Sequence, residues 1–393
     1  MHRNTYVEID LEALSQNVKN IIKKYDYKYY VGVVKGNAYG HGYGIIDTLI
    51  ESGINFLAVA NLDEALEIRK INKDIKILCL EPIDKKYLDI CSKENVSIMI
   101  DDYEYYNEIK DLKLNLNLHL KIDSGMNRLG FNNKEEVDKF YKDVNKKKNF
   151  HLEGIFTHFA TAGIYDKSYD NQVNRFKNLV SGIDLSKIEI VHLDRSVTMC
   201  AHEKLDFVNG VRLGIIMYGF EVMHKEGNTL KDKLRKIKWN FLRKKQNISE
   251  PKSYEKLELK TAFNLISEVL EVKKVKKGDF IGYGNVYEAE EDMTVAIIDI
   301  GYADGISKRR FNSSMQINDK VYPIVGDVCM GMTMLKVDEN VKKHDKVIVI
   351  GDKISIRSVA SHIHTSVYEV MLMIDSNITR KYRCSNGKDT FIR

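Results

Sequence analysis

Lys35 follows the apolar run 29–34 and precedes Gly36-Asn-Ala-Tyr-Gly-His-Gly. A lysine at a strand end, shielded from water, keeps a neutral and nucleophilic amine, which is what covalent capture of an aldehyde requires. The plainer reading is a lysine that snorkels to solvent. The glycines after it weigh against that reading, because they let a ligand approach the backbone closely. His158 closes the segment Gly154-Ile-Phe-Thr-His, where a ligand contact and a satisfied core histidine are both open. Ser196 follows the run 189–193 and Gly214 follows the run 207–212. A hydroxyl and backbone N–H groups at those places suit a phosphate. A reactive lysine with a phosphate cup fits a phosphorylated aldehyde cofactor, and it fits an aldolase equally. Spacing does not choose between them.

The elements that must position these residues are legible as apolar runs at 29–34, 55–60, 76–80, 97–100, 116–122, 152–157, 189–193 and 207–212. Each is followed by a stretch of helical character, such as Leu62-Asp-Glu-Ala-Leu-Glu-Ile-Arg-Lys, which Asn61 is placed to cap. Strands alternating with helices imply a parallel sheet, and eight such units imply closure into a (β/α)8 barrel. Reactive groups then belong at the C-terminal ends of the strands. Beyond the barrel, Thr294-Val-Ala-Ile-Ile-Asp-Ile, Val321-Tyr-Pro-Ile-Val and Lys346-Val-Ile-Val-Ile read as strands between Gly and Asp turns. The expected organisation is an N-terminal strand (1–10) packing with the C-terminal domain, an α/β barrel (11–220), a basic connection (221–256) and a mainly β domain (257–393). The 230–241 part of the connection carries Leu230, Leu234, Ile237 and Phe241 at helical spacing among basic residues. It reads as an amphipathic surface helix docked by its apolar stripe, with a membrane-surface or partner-binding role as the alternative.

Composition narrows the function classes. With 44% hydrophobic and 30% charged residues over 393 positions, the chain is an ordinary globular protein with room for two cores. A net charge of +5 is small for this length and does not point to nucleic acid. No apolar run is long enough for a membrane span, and the start lacks a secretory signal. Five cysteines without CxxC spacing argue against a disulfide framework or a zinc site and favour a reducing, cytoplasmic setting. No metal is expected.

Several longer segments, in order, resemble the alanine racemases, fold-type III pyridoxal-phosphate enzymes. They are Val34-Lys-Gly-Asn-Ala-Tyr-Gly-His-Gly, Lys121-Ile-Asp-Ser-Gly-Met-Asn-Arg-Leu-Gly, Gly154-Ile-Phe-Thr-His-Phe-Ala, Val211-Arg-Leu-Gly-Ile, Gly282-Tyr-Gly, Gly301-Tyr-Ala-Asp-Gly, Val328-Cys-Met and Tyr368-Glu-Val. The resemblance spans nearly the whole chain. It implies pyridoxal 5'-phosphate carried on Lys35, with its phosphate held by Tyr39, Ser196, Gly214, Ile215 and Tyr368. Arg212 would face the pyridine nitrogen. As a permanently charged donor it passes no proton there, which favours reprotonation at Cα over transamination. The two bases would be Lys35 and Tyr283 of the partner subunit, with His158 and Arg212 in a hydrogen-bond chain toward that tyrosine. Arg128 would contact the cofactor and the substrate carboxylate, steadied by Lys121, a position often carbamylated in the family. Met330, also from the partner, would contact substrate, and Tyr302 and Tyr368 would narrow the entrance. An obligate homodimer follows, converting L-alanine to D-alanine for peptidoglycan in a bacterium.

The chain departs from the family pattern in four respects. Gly36 stands where alanine is usual, Arg195 where asparagine is usual and Gly331 where aspartate is usual, and the 221–256 connection is longer and more basic than usual. Gly331 removes a polar wall from the substrate pocket, so racemisation of serine or another small amino acid is the second reading. A decarboxylase of related fold using Cys329, and a non-catalytic pyridoxal-phosphate carrier, are the remaining ones. The carrier would lack the β domain in which Tyr283 and Tyr302 lie.

Overall fold

A computed structural model describes residues 3–163, 166–221, 230–246, 257–384 and 390–392. The chain forms two compact units. One comprises Ser15–Lys35 and Ile46–Lys260; the other comprises Met1–Leu14, Gly36–Ile45 and Thr261–Arg393.

The first unit is the barrel that the alternating pattern predicts. Its parallel strands, in chain order, are Tyr29–Val33, Phe56–Val59, Ile77–Cys79, Val96–Ile100, Leu116–Ile122, Phe150–Thr157, Ile190–His192, Asp194–Arg195 and Gly210–Leu213. Ile190–His192 pairs with Phe150–Thr157, while Asp194–Arg195 pairs with Gly210–Leu213, which in turn pairs with Tyr29–Val33. These two short pieces are one strand interrupted at Leu193, and through it the ring of eight closes. Strands of such a barrel are covered on both faces and read as apolar runs rather than alternating ones. Val96–Ile100 and Phe56–Val59 are buried at every residue. Helices begin where side chains can cap them: Asn61, Asp102 and Asn133 each accept a backbone N–H three residues on, at 3.1, 2.7 and 3.0 Å.

In the second unit the spine is Phe263–Val275, a 13-residue strand. It pairs antiparallel with Tyr6–Asp10, Lys346–Ile350 and Met293–Ile298. Tyr6–Asp10 also pairs, in parallel, with Thr379–Arg383. Two short helices, Ile356–His362 and Val367–Met373, start at the side-chain caps Ser355 and Ser366.

The segment Gly36–Ile45, which follows the first barrel strand, belongs with this second unit. Gly36, Asn37, Ala38 and Tyr39 all lie in left-handed backbone (φ 51–64°), a single turn of the hand that L-residues avoid at about 1–2 kcal/mol each. Contacts inside the unit hold it there. Gly40 approaches the Met371 carbonyl so closely that a Cβ would lie 2.6 Å from that oxygen. Arg380 Nε donates to the Gly40 carbonyl at 3.2 Å, and Tyr382 Oη donates to the His41 carbonyl at 3.0 Å. The glycine at position 36 is accounted for here: its φ is +64°, and a Cβ would meet Leu372 at 2.9 Å.

Within the connecting segment, 222–229 and 247–256 lie outside the described residues, and Leu230–Gln246 is a helix. Its apolar stripe is not docked, contrary to the sequence expectation. Leu230, Leu234, Ile237 and Phe241 are 76%, 59%, 66% and 67% exposed. Among the described residues, no helix is long and apolar enough to cross a membrane.

Candidate active site

Lys35 stands at the C-terminal end of the first barrel strand, which is held by Val34 N–H donating to the Ala58 carbonyl at 2.9 Å. The buried Tyr218 Oη donates to the Val33 carbonyl at 3.0 Å, two residues before the lysine. The side chain of Lys35 is exposed, so the shielding expected from its position after an apolar run is absent. The strand ends before the lysine, and the left-handed turn begins directly after it, leaving the amine open to an incoming aldehyde.

On the neighbouring strand Gly210–Leu213, Arg212 is buried and fully engaged at its two terminal nitrogens. Nη1 donates to His192 Nδ1 at 3.0 Å and to the His192 carbonyl, and Nη2 donates to the carbonyls of Thr157 and Leu193 at 2.7 and 3.1 Å. The Nε–H is the donor these four bonds leave over. Burial and the nearby Arg195 pull its pKa down to about 9 against the attraction of Asp194, and the guanidinium stays charged at neutral pH.

Behind Arg212 runs a chain of polar groups that sequence reasoning missed. His192 Nε2 lies 3.1 Å from His119 Nδ1, and His119 Nε2 lies 3.0 Å from Glu153 Oε2. A guanidinium can only donate, so His192 Nδ1 accepts and its proton sits on Nε2. That proton is given to His119 Nδ1, which places the proton of His119 on Nε2, facing Glu153. Burial disfavours the carboxylate, but His119, Lys76 and Ser97 outweigh it and hold Glu153 down to about 2. Gly154 makes room for this chain, since a Cβ there would lie 2.3 Å from His119 Nδ1, but the sequence alone gives no sign of that approach.

Lys121 is buried, with its ammonium position 4.6 Å from the Phe156 ring centre. Burial and then the charges of Arg212 and Arg128 push its pKa well below the usual lysine range, against the pull of Asp123. Arg128 is exposed on the following loop. Asp123 Oδ1 shapes that loop by accepting from the N–H groups of Gly125, Met126 and Asn127 at 2.9, 2.9 and 3.1 Å. His158 is driven down to about 2 by burial and by Arg212, Lys121, Arg195 and Arg128. It is a neutral imidazole and supplies no positive charge. Ser196 and Gly214 do meet: Gly214 N–H donates to Ser196 Oγ at 3.1 Å, with the buried Ile215 next in the chain.

The second unit carries the other candidates. The rings of Tyr39 and Tyr368 meet at a tilt of 46°, 5.8 Å between centres, and burial together with Tyr368 raises the Tyr39 phenol. Tyr283 sits between Gly282 and Gly284, both at positive φ, and is 71% exposed. Tyr302 and Met330 are brought together because Tyr302 N–H and Ala303 N–H donate to the carbonyls of Cys329 and Met330, each at 2.9 Å. Gly301 permits this approach, since a Cβ there would lie 2.3 Å from the Cys329 carbonyl oxygen. Met330 is 61% exposed, and a Cβ at Gly331 would meet nothing within 4 Å.

Together these groups fit pyridoxal 5'-phosphate: an open primary amine for its aldehyde, a hydroxyl beside backbone N–H groups for its phosphate, and a fixed cationic donor for its ring nitrogen. Known proteins agree with the fold. The family described as alanine racemase, N-terminal domain, matches residues 9–222, and that described as alanine racemase, C-terminal domain, matches residues 262–382. The alanine racemase of Anoxybacillus flavithermus is 34% identical, over 96% of this chain and 94% of its own. A crystal structure of alanine racemase from Bacillus anthracis with bound L-Ala-P superposes with a TM-score of 0.86 at 30% identity, covering 100% of this chain and 98% of that one. A histidine racemase from Leuconostoc mesenteroides superposes at 0.83 with 25% identity, covering 98% and 99%.

Proposed function

Because the chain belongs to the alanine racemase family, we propose that it interconverts L-alanine and D-alanine with pyridoxal 5'-phosphate, using Lys35 and the partner subunit's Tyr283 as the two bases. Bound through the Lys35 amine, the cofactor would supply an electron-withdrawing ring that acidifies the Cα–H of the amino acid. Lys35 would then take or return the proton on one face of Cα. The phenol of Tyr283 would do so on the other, and a planar carbon protonated from either side yields either enantiomer. Arg128, exposed on the loop that Asp123 shapes, would orient the substrate carboxylate, for which a guanidinium fork is well matched. Ser196, the Gly214 and Ile215 backbone, Tyr39 and Tyr368 would hold the phosphate, and His158 would line the cofactor site.

The observation that carries this reading is the clamp on Arg212. Its terminal nitrogens are held by three carbonyls and a neutral imidazole, so it offers Nε–H as a positioned, charged donor that gives up no proton. Such a donor restrains charge from spreading into the ring and returns reactivity to Cα, which suits racemisation. The neutral state favoured at Lys121 supports carbamylation there, because only a free amine adds carbon dioxide. Labelled bicarbonate would show it as a carbamate carbon by nuclear magnetic resonance.

The exposed Tyr283 and Met330, with Phe280, Val286 and Met332 also exposed on the same unit, support a homodimer in which each subunit completes the other's site. Solvent deuterium tests the two-base scheme. Lys35→Ala should abolish exchange at Cα and racemisation together. Tyr283→Phe should cut racemisation by on the order of 10²–10⁴-fold while leaving Lys35-side exchange of one enantiomer. Unchanged racemisation in both directions by Tyr283→Phe rejects the scheme.

A second reading, racemisation of serine or another small amino acid, is favoured by the open space at Gly331. Relative turnover of L-alanine and L-serine separates the two. We also place the activity in the cytoplasm, feeding D-alanine to peptidoglycan, a setting supported by five free cysteines and bacterial relatives. Rescue of a D-alanine auxotroph by the gene would test that role.

A further inference from the structure

The helix Leu230–Gln246 carries chemistry that racemisation does not use. Leu230, Leu234, Ile237 and Phe241 advance by four, three and four residues, so at 100° per residue they share an arc of about 60°. All four are more exposed than covered. Exposed lysines border the stripe on both edges: Lys231, Lys238 and Lys245 along one, Lys233 and Lys244 along the other. Trp239, Leu242 and Arg243, turned away from the stripe, are half-buried. Residues 230–246 hold eight Lys and Arg against one Asp, a net +7, and the rest of the chain carries −2 of the total +5. Five of these eight cations border one narrow apolar strip.

We propose that this helix docks the protein on an anionic lipid surface, lying in the headgroup plane with Leu230, Leu234, Ile237 and Phe241 inserted. Short apolar side chains flanked by lysines whose stems reach past them are the arrangement an interfacial helix needs. The four side chains alone bury too little to hold a protein of this size. The lysines supply the remainder, each strengthening attachment about fivefold near a negative leaflet. A second copy of the helix is the poorer occupant, because it would bring +7 against +7 across the same strip. An anionic bilayer matches both parts of the surface.

Co-sedimentation of the full-length, cofactor-loaded protein tests this with vesicles of phosphatidylcholine alone and of phosphatidylcholine with phosphatidylglycerol at about 3:1. Binding should be at least about tenfold stronger on the anionic vesicles and should weaken with salt. Ile237→Asp with Phe241→Asp should abolish it, and Lys231→Gln with Lys238→Gln should weaken it by more than tenfold, all with racemisation unchanged. Trp239 is the only tryptophan. A Trp239→Phe, Phe241→Trp variant should therefore shift its emission to the blue with anionic vesicles and not with neutral ones. Equal binding to both vesicle types, no binding, or binding that survives the aspartate pair overturns the proposal. A lower assembly mass in the aspartate pair by light scattering also overturns it, by assigning the stripe to a contact between copies.

Discussion

At the scale of single residues, Arg212 is held by three carbonyls and one imidazole, that of His192. Its ring stacks on Phe156 at 4.8 Å and 15° while bonding Arg212 and His119. His192→Phe keeps the stack but leaves a buried guanidinium N–H and the His119 nitrogen without a partner. A loss of about 1–3 kcal/mol in unfolding free energy is expected, with racemisation falling while the KM for alanine is little changed. A denaturant titration beside steady-state kinetics reads both, and unaltered stability would reject the chain as described. Position 331 offers the opposite case, space rather than crowding. Gly331→Asp should raise the preference for alanine over serine, read as a ratio of kcat/KM values. An unchanged ratio would mean that this wall plays no part in selection.

At the scale of elements, the turn after Lys35 is held by packing rather than by preference. Gly40→Ala places a methyl 2.6 Å from the Met371 carbonyl at φ +79°, whereas Gly278→Ala has φ +90° and nothing within 4 Å. Both substitutions strain the backbone, but only the first collides. Gly40→Ala should cost about 1–3 kcal/mol more than Gly278→Ala by denaturant titration, and equal costs would argue against the close approach. This turn also marks where sequence reading stops. The barrel strands were legible because a strand covered on both faces is apolar throughout, and caps such as Asn61 because a side chain must meet free N–H groups. Successive left-handed residues at Asn37, Ala38 and Tyr39 have no such signature, since their support comes from Met371, Arg380 and Tyr382, more than 300 positions away. The long strand Phe263–Val275 was missed because its second half is studded with lysine and glutamate. Glu153 and His119 were missed for the converse reason: a polar residue within an apolar run gives no sign that its partner lies on the next strand.

At the scale of the molecule, acid should be the weak side of this protein. Burial holds His41 down to about 4 and His158 to about 2, and His192 well below the ordinary 6.5. Between those values and 6.5 the unfolded chain binds protons that the folded chain refuses. Stability is therefore full above about 6.5 and is lost as pH falls. Each group contributes a slope of about 1.4 kcal/mol per pH unit, so three give on the order of 4. Glu153, held at about 2 rather than 4.5, adds the same sign below 4.5. Denaturant titrations from pH 8 to pH 4 should show a plateau and then a steep fall, and a flat profile would contradict these burials.

Tyr6–Asp10 lies between Phe263–Val275 and Thr379–Arg383. Of these three strands it leaves the ribosome first, and both its neighbours are still unmade. With Tyr6 opposite Thr379, at about 5–20 residues per second its second edge stays open for roughly 20–75 s. A bare strand edge waiting that long is a template for pairing with the wrong chain. Production of this protein should accordingly depend on chaperones that shelter the nascent N-terminus.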